Sequence, residues 1–187
     1  MVIFEPILPA VLFAIAWIWW SVAAGIKKQP MRMVERFLFL GGCFMVFCFY
    51  FIELPLDAVG FWSIADDLLP LNEAIRIVPF QQLIAEIKHL GYYFEIYPML
   101  FGGAALMGLT INLAVKKPMS FKKNVLVAFL IPLACFAFHA IIRLSTGAMW
   151  KRADTTDIIW FMIFYSIGYG IWRLVARWAK KRKKLDK

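Results

Sequence analysis

The side chains most able to do chemistry in this sequence are ionisable groups that interrupt long apolar runs. Glu53 and Glu95 lie near the ends of two such runs, and His139 and Arg143 lie in a third. The spacing of four residues places His139 and Arg143 on one face of a helix. Carboxylates, an imidazole and a guanidinium withdrawn from water could hold a polar ligand, or could act as general acids and bases.

Two polar connections beside the apolar runs add further candidates. Arg76 lies in one of them, and residues 151–157 read Lys-Arg-Ala-Asp-Thr-Thr-Asp. Because arginine binds phosphate and carboxylate groups well, the cations favour an anionic ligand. Asp154 and Asp157 have a structural alternative, since they or the threonines between them could cap the next helix. The candidate ligand-binding cluster is Glu53, Arg76, Glu95, His139, Arg143, Lys151, Arg152, Asp154 and Asp157.

Signatures of known catalytic and cofactor sites are absent from the sequence. It contains no His-Glu-x-x-His, no Gly-x-Ser-x-Gly, no P-loop and no Gly-rich dinucleotide fingerprint. The only two histidines, His89 and His139, leave few ligands for zinc. We expect no cofactor and no metal, and these patterns identify no catalytic residue.

Composition indicates which elements must position these side chains. Hydrophobic residues make up 63% of the 187 residues, and the mean hydropathy is +0.72. Soluble domains are about half apolar, whereas a helix of about 20 apolar residues spans a bilayer. Five runs reach that length, at about 7–26, 37–56, 92–115, 124–144 and 158–176. We predict an all-α polytopic membrane bundle in one domain, 1–187. Small residues four apart predict close helix packing at Ala104 with Gly108 and at Ser166 with Gly170.

Basic residues alternate between the connections in a way that predicts orientation. They are concentrated in the connections after the first and third runs and in the segment after the fifth run. These residues are Lys27, Lys28, Arg32, Arg36, Lys116, Lys117, Lys122, Lys123 and 180–184. Because cytoplasmic connections are enriched in lysine and arginine, the N-terminus is predicted outside a bacterial plasma membrane and the C-terminus inside. The net charge of +9 then indicates topology and an attraction to membrane lipids, rather than nucleic-acid binding.

The longest connection, residues 57–91, is too polar to span a membrane and is expected at the outer surface. Its apolar residues follow helical spacing from Phe80 to Leu90, which predicts an amphipathic helix in the interface. Pro79 would stand in the first turn of that helix, where its missing N–H costs nothing. This arrangement places the whole candidate cluster at the outer ends of helices two to five.

Three motifs carry a likeness to a known family. Residues 76–80 read Arg-Ile-Val-Pro-Phe, the 151–157 stretch precedes a helix containing Gly168-Tyr169, and Tyr97-Pro98-Met99 opens the third long helix. Together they resemble the VanZ-like family, membrane proteins named for a teicoplanin-resistance accessory protein. Its motifs are Asn-Leu-Ile-Pro-Phe, and Arg-x-x-Asp-x-x-Asp before a final helix with a Gly-Tyr pair. The chain departs from that pattern at Arg76 and Phe161, where the family usually has Asn. It also has no clean match for the family's Glu and Gln in the penultimate helix.

The resemblance implies a role at the outer envelope surface, linked to glycopeptide resistance or to the handling of envelope components. The leading hypothesis is a protein, not an enzyme, that binds an amphiphilic or lipid-linked molecule at the outer leaflet. An alternative is a membrane-embedded enzyme acting on an envelope lipid or peptidoglycan precursor through Glu53, Glu95 and His139. A transporter is disfavoured, because the sequence shows no inverted repeat and no charge near the bilayer midplane. The oligomeric state is left open.

Overall fold

Helices make up nearly all of the described structure. A computed structural model describes residues 7–26, 30–51, 71–80, 90–115, 118–146 and 152–185. In chain order the elements are α1 (Ile7–Ile26), α2 (Pro30–Phe51), α3 (Leu71–Ala74), β1 (Ile75–Arg76), α4 (Leu90–Ala114), α5 (Phe121–Thr146), β2 (Ala153–Asp154) and α6 (Thr155–Leu185). The predicted helical class is therefore confirmed. The short ladder of β1 with β2 is an element that the sequence did not predict.

Four of these helices are long and apolar enough to cross a membrane. The qualifying segments are Met33–Phe51, Tyr97–Ala114, Phe121–Ser145 and Thr155–Arg182. In α1 the corresponding apolar stretch, Val11–Trp20, is shorter. The membrane class is thus confirmed, and the fifth span remains a prediction.

Several helix ends differ from those predicted. The second helix, α2, begins at Pro30 rather than near 37, and α4 runs from Leu90 through Pro98 rather than opening there. The last helix, α6, continues past 176 to Leu185, because lysine and arginine remain good helix formers after the apolar run has ended.

The predicted amphipathic helix of the long connection is corrected at one end. Phe80 has a φ of 60°, in the left-handed region, so a right-handed helix cannot begin there. Leu90 already belongs to α4. Residues 81–89, on which most of that prediction falls, lie outside the described residues.

The central helix of the bundle is α4, which packs against α2 on one side and α6 on the other. The helix α1 packs against α2, and α5 packs against α6. The core is formed mainly by α2, α4 and α6, and its Leu100, Phe161 and Tyr165 are fully buried. Phe101 of α4 stacks on Phe164 of α6, with ring centroids 4.3 Å apart. The core therefore holds together the helices that carry the polar residues described below.

Glycines allow α4 to approach both neighbours closely. A Cβ atom at Gly103 would lie 3.0 Å from the carbonyl oxygen of Gly42 in α2. A Cβ atom at Gly168 would collide with the carbonyl oxygen of Ala105, and one at Gly108 with that of Tyr165. Gly108 thus packs closely as predicted. On α6 the close approach is at Gly168 and not at the predicted pair: Ser166 is exposed, and a Cβ atom at Gly170 would meet nothing within 4 Å.

A buried pair of amides shapes the connection between α4 and α5. Asn112 donates to Oδ1 of Asn124 at 3.0 Å, and its own Oδ1 accepts from the backbone of Met119 at 2.7 Å. Asn124 donates to the carbonyl oxygen of Ser120 at 3.0 Å, and the Tyr165 hydroxyl donates to Asn124 Oδ1 at 3.3 Å. These bonds satisfy polar groups that burial would otherwise penalise.

The outward faces of the helices are apolar. Trp19 is 79% exposed, Leu174 66% and Ile141 63%, although all three are large hydrophobic residues. An apolar outer surface spread over several helices fits burial in lipid rather than in water.

Candidate functional site

The described polar residues of the candidate cluster meet where α5 ends and α6 begins. There β1 pairs in parallel with β2, aligning Ile75 with Ala153 and Arg76 with Asp154. We call residues 75–80 and 153–157, joined in this way, the clamp. The clamp connects two segments that lie more than 70 positions apart in the chain, as the separation of 78 between Arg76 and Asp154 shows.

An ion pair lies at the centre of the clamp. Nη1 of Arg76 lies 3.4 Å from Oδ2 of Asp154, and the two side chains are only 5% and 14% exposed. Oδ1 of Asp154 accepts a hydrogen bond from the backbone N–H of Thr156 at 2.7 Å. Asp154 therefore caps α6 and neutralises Arg76 at the same time. Of the capping alternatives that the sequence left open, the structure selects Asp154.

Two threonines attach the turn that follows β1 to the first turn of α6. The Thr155 hydroxyl donates to the carbonyl oxygen of Ile77 at 2.9 Å. The backbone N–H of Phe80 donates to Oγ1 of Thr156 at 3.0 Å. The Phe80 ring meets Trp160 edge to face, with centroids 5.9 Å apart. These contacts account for the left-handed backbone at Phe80, because the surroundings hold it in a conformation that a free chain rarely adopts.

Asp157 connects the clamp to α4. It is 5% exposed, and its Oδ1 accepts a hydrogen bond from the Tyr97 hydroxyl at 3.1 Å. The Tyr97 ring packs on Phe49 of α2, with centroids 5.4 Å apart. The sequence placed Tyr97 only in a short motif and did not predict this contact. A tyrosine at the polar end of an apolar run is the signal that could have indicated it, because a buried hydroxyl needs a partner.

His139 joins α5 to α2. It is 4% exposed and stacks on Tyr50 and Phe51, with ring centroids 6.1 and 5.7 Å away. Phe51 also packs edge to face on Phe138, 5.5 Å away. The histidine thus lies in an aromatic enclosure, where its ring contributes packing between two helices.

The remaining members of the candidate cluster differ in how far the structure describes them. Arg143 follows His139 by one helical turn and is half-buried, whereas Arg152 is exposed directly before β2. The backbone of Glu95 belongs to α4, but the position of its side chain is not described. Glu53 and Lys151 lie outside the described residues. Within the described part of the chain, no three His, Cys, Asp or Glu side chains are grouped to hold a metal ion.

Apolar side chains project from the same clamp. Ile77 is 74% exposed and Val78 60%, directly after the buried Arg76. The clamp therefore offers exposed aliphatic groups next to Arg152, the exposed cation that directly precedes Ala153, while its buried ion pair holds the backbone. Such a surface can accept the apolar part of an amphiphile and attract an anionic head group.

Comparison with protein-family models, with curated proteins and with solved structures finds no match for this chain.

Proposed function

We propose that this protein is a VanZ-like bacterial plasma-membrane protein that binds an amphiphilic or lipid-linked envelope molecule at the outer leaflet. By this means it contributes to resistance against glycopeptide antibiotics of the teicoplanin type. It has five transmembrane helices, α1 included, with the N-terminus outside and the C-terminus in the cytoplasm. The clamp then faces outward.

The observation that carries this proposal is the pairing within the clamp. Residues 76–80 and 151–157 each resemble a short motif of the same family. The described parts of these two stretches are joined by the strand ladder, the Arg76–Asp154 ion pair and the hydrogen bonds of Thr155 and Thr156. If the two likenesses had occurred by chance, the segments that carry them would not be expected to contact each other in the fold.

The distribution of charge supports the proposed orientation. Lys122 and Lys123 stand at the start of α5, and Lys180 and Lys181 stand near the end of α6. Both pairs are exposed and lie at the helix ends opposite the clamp, because the clamp adjoins the end of α5 and the start of α6. A cytoplasmic location for these lysines places the clamp outside.

The chemistry of the clamp supports an amphiphilic ligand. Arg152 would attract a phosphate or carboxylate, and the exposed side chains of Ile77 and Val78 would contact an apolar chain. Arg143, half-buried near the end of α5, would add a second cation. Arg76, by contrast, holds the clamp together through Asp154 and has a positioning role.

Expression in a teicoplanin-susceptible bacterium tests the proposal. The wild-type chain is expected to raise the minimal inhibitory concentration of teicoplanin, and Arg152→Gln and Arg143→Gln are expected to remove most of that increase. Lys122→Gln is the matched control, since it also neutralises an exposed cation but at the opposite end of the bundle. Tagged protein in isolated membranes must be present at equal levels for all four chains.

The same four proteins, purified from these strains, distinguish binding from catalysis. Purified protein is incubated with a labelled lipid-linked peptidoglycan precursor, and both retention and product are measured. Retention without product is the expected result. Accumulation of product would favour the enzyme alternative, and unchanged susceptibility and retention in both arginine variants would refute the proposed function.

A further inference from the structure

We infer that the C-terminal part of α6 binds the headgroups of anionic phospholipids through a stripe of Arg173, Arg177, Lys180 and Lys181. We call these four residues the basic stripe. They lie at the end of α6 opposite the clamp, so this inference does not depend on the function proposed for the clamp.

The length of α6 places the basic stripe at a membrane boundary. The helix has 31 residues, which extend about 46 Å at 1.5 Å per residue. The hydrocarbon core of a bilayer is only about 30 Å thick. Counted from Thr155, residues 173–181 lie about 27–39 Å along the helix, so with its first turn held in the clamp α6 carries the basic stripe to the opposite headgroup region.

Helical geometry gathers the four cations on one side. At about 100° per residue, Arg173, Arg177 and Lys180 fall within an arc of about 60°, and Lys181 extends the arc to about 100°. All four side chains are exposed. The stripe therefore presents a continuous row of positive charge along roughly two turns of the helix.

The helix carries no acidic residue that could neutralise the basic stripe. Between Asp157 and Asp186 the sequence contains no aspartate or glutamate. Charge pairs along a helix need partners three or four residues away, and Asp186 lies farther than that from each of the four. The neighbouring start of α5 adds Lys122 and Lys123, so the local charge in this part of the described structure is positive.

Apolar and aromatic groups next to the basic stripe suit lipid rather than a water-soluble anion. Leu174 and Trp178 are 66% and 61% exposed, and at about 100° per residue they lie about 20° and about 60° beyond Lys181 around the helix. Exposed tryptophan is typical of the membrane–water interface. A phospholipid would place its acyl chains against these residues and its phosphodiester against the cations.

One member of the basic stripe is positioned by stacking. The guanidinium carbon of Arg173 lies 6.0 Å from the centre of the Tyr169 ring. Stacking of this kind leaves the edges of the guanidinium free to bind phosphate oxygens. The neighbouring Arg182 stacks in the same way on Trp178, 4.9 Å from the ring centre.

Boundary-lipid measurements test the inference. The full chain is reconstituted in phosphatidylcholine vesicles with a trace of spin-labelled phosphatidylglycerol or spin-labelled phosphatidylcholine. The fraction of immobilised label then reports lipid in contact with the protein. The wild-type chain is expected to select phosphatidylglycerol severalfold, and high salt is expected to weaken that selection.

A pair of matched variants separates a site from a general charge effect. Arg177→Gln/Lys180→Gln is expected to abolish the selection, whereas Lys122→Gln/Lys123→Gln, which also removes two exposed cations at this end, should retain most of it. Equal losses in the two variants, or no selection in the wild type, would overturn the inference. Binding of a fluorescent oligonucleotide at high salt would also overturn the inference, if Arg177→Gln/Lys180→Gln removed that binding and left the lipid selection unchanged.

Discussion

At the scale of single residues, burial decides which members of the candidate cluster can meet a ligand. Arg76 was predicted to bind one, but its side chain is 5% exposed and contacts Asp154. Asp154 and Asp157 were predicted either to bind or to support the helix, and both have bonds within the protein. Arg152 remains exposed. A sequence states that these residues are charged, but only the fold determines which charges neutralise one another.

Removing the buried cation tests the structural role of Arg76. Arg76→Met keeps much of the side-chain volume but leaves the Asp154 carboxylate without its cationic partner. Breaking such a buried pair typically costs about 3–5 kcal/mol, and the slight exposure of Asp154 favours the lower end of that range. The expected result is a lower thermal unfolding midpoint in detergent and faster hydrogen exchange at residues 75–80.

The control for this variant is Arg152→Met, which removes a cation from an exposed site on the same segment. It is expected to leave the midpoint and the exchange rates close to wild type. If both variants unfold at the wild-type midpoint, the ion pair does not stabilise the clamp.

At the scale of elements, the sequence predicted the helices from their long apolar runs. In lipid, a helix is stable because it satisfies all of its backbone hydrogen bonds within one segment. It could not predict β1 and β2, because a two-residue strand has no periodicity to detect. It also could not identify the glycine pairing. The spacing of Ser166 and Gly170 matched that of close-packing helices, but the rotation of α6 brings Gly168 against α4 instead.

A pair of glycine variants tests the crossing of α4 and α6. Gly168→Ala puts a methyl group against the carbonyl oxygen of Ala105, and backbone atoms cannot move aside as a flexible side chain can. Overpacking of this kind costs about 1–3 kcal/mol or more. Gly170→Ala, two residues away, adds the same methyl group where nothing lies within 4 Å.

The expected result is a marked fall in the thermal unfolding midpoint for Gly168→Ala and little change, or a small increase, for Gly170→Ala. The small increase would follow from the better helix propensity of alanine. Equal effects at the two positions would show that α4 and α6 do not cross at Gly108 and Gly168.

At the scale of the whole molecule, the bundle separates two kinds of charge. At the clamp end, the described charged residues include a buried ion pair and a buried carboxylate that accepts a hydrogen bond. At the opposite end, the lysines and arginines of α5 and α6 whose side chains the structure describes are exposed. From the alternation of basic connections, the sequence predicted that lysines and arginines gather on one side of the bundle. It could not predict that residues 76–80 and 153–157 lie side by side, because contacts between distant segments leave no local pattern.

The central claim is that the clamp contacts an amphiphilic envelope molecule, and photocrosslinking measures that contact directly. A photoreactive residue is placed at Ile77, which is 74% exposed in the clamp, or at Leu126, which is 54% exposed on α5 near the opposite end. Each chain is illuminated with a labelled lipid-linked peptidoglycan precursor. We predict labelling at position 77 that unlabelled precursor displaces and Arg152→Gln reduces, with little labelling at position 126. Equal labelling at the two positions, or none at position 77, would contradict the claim.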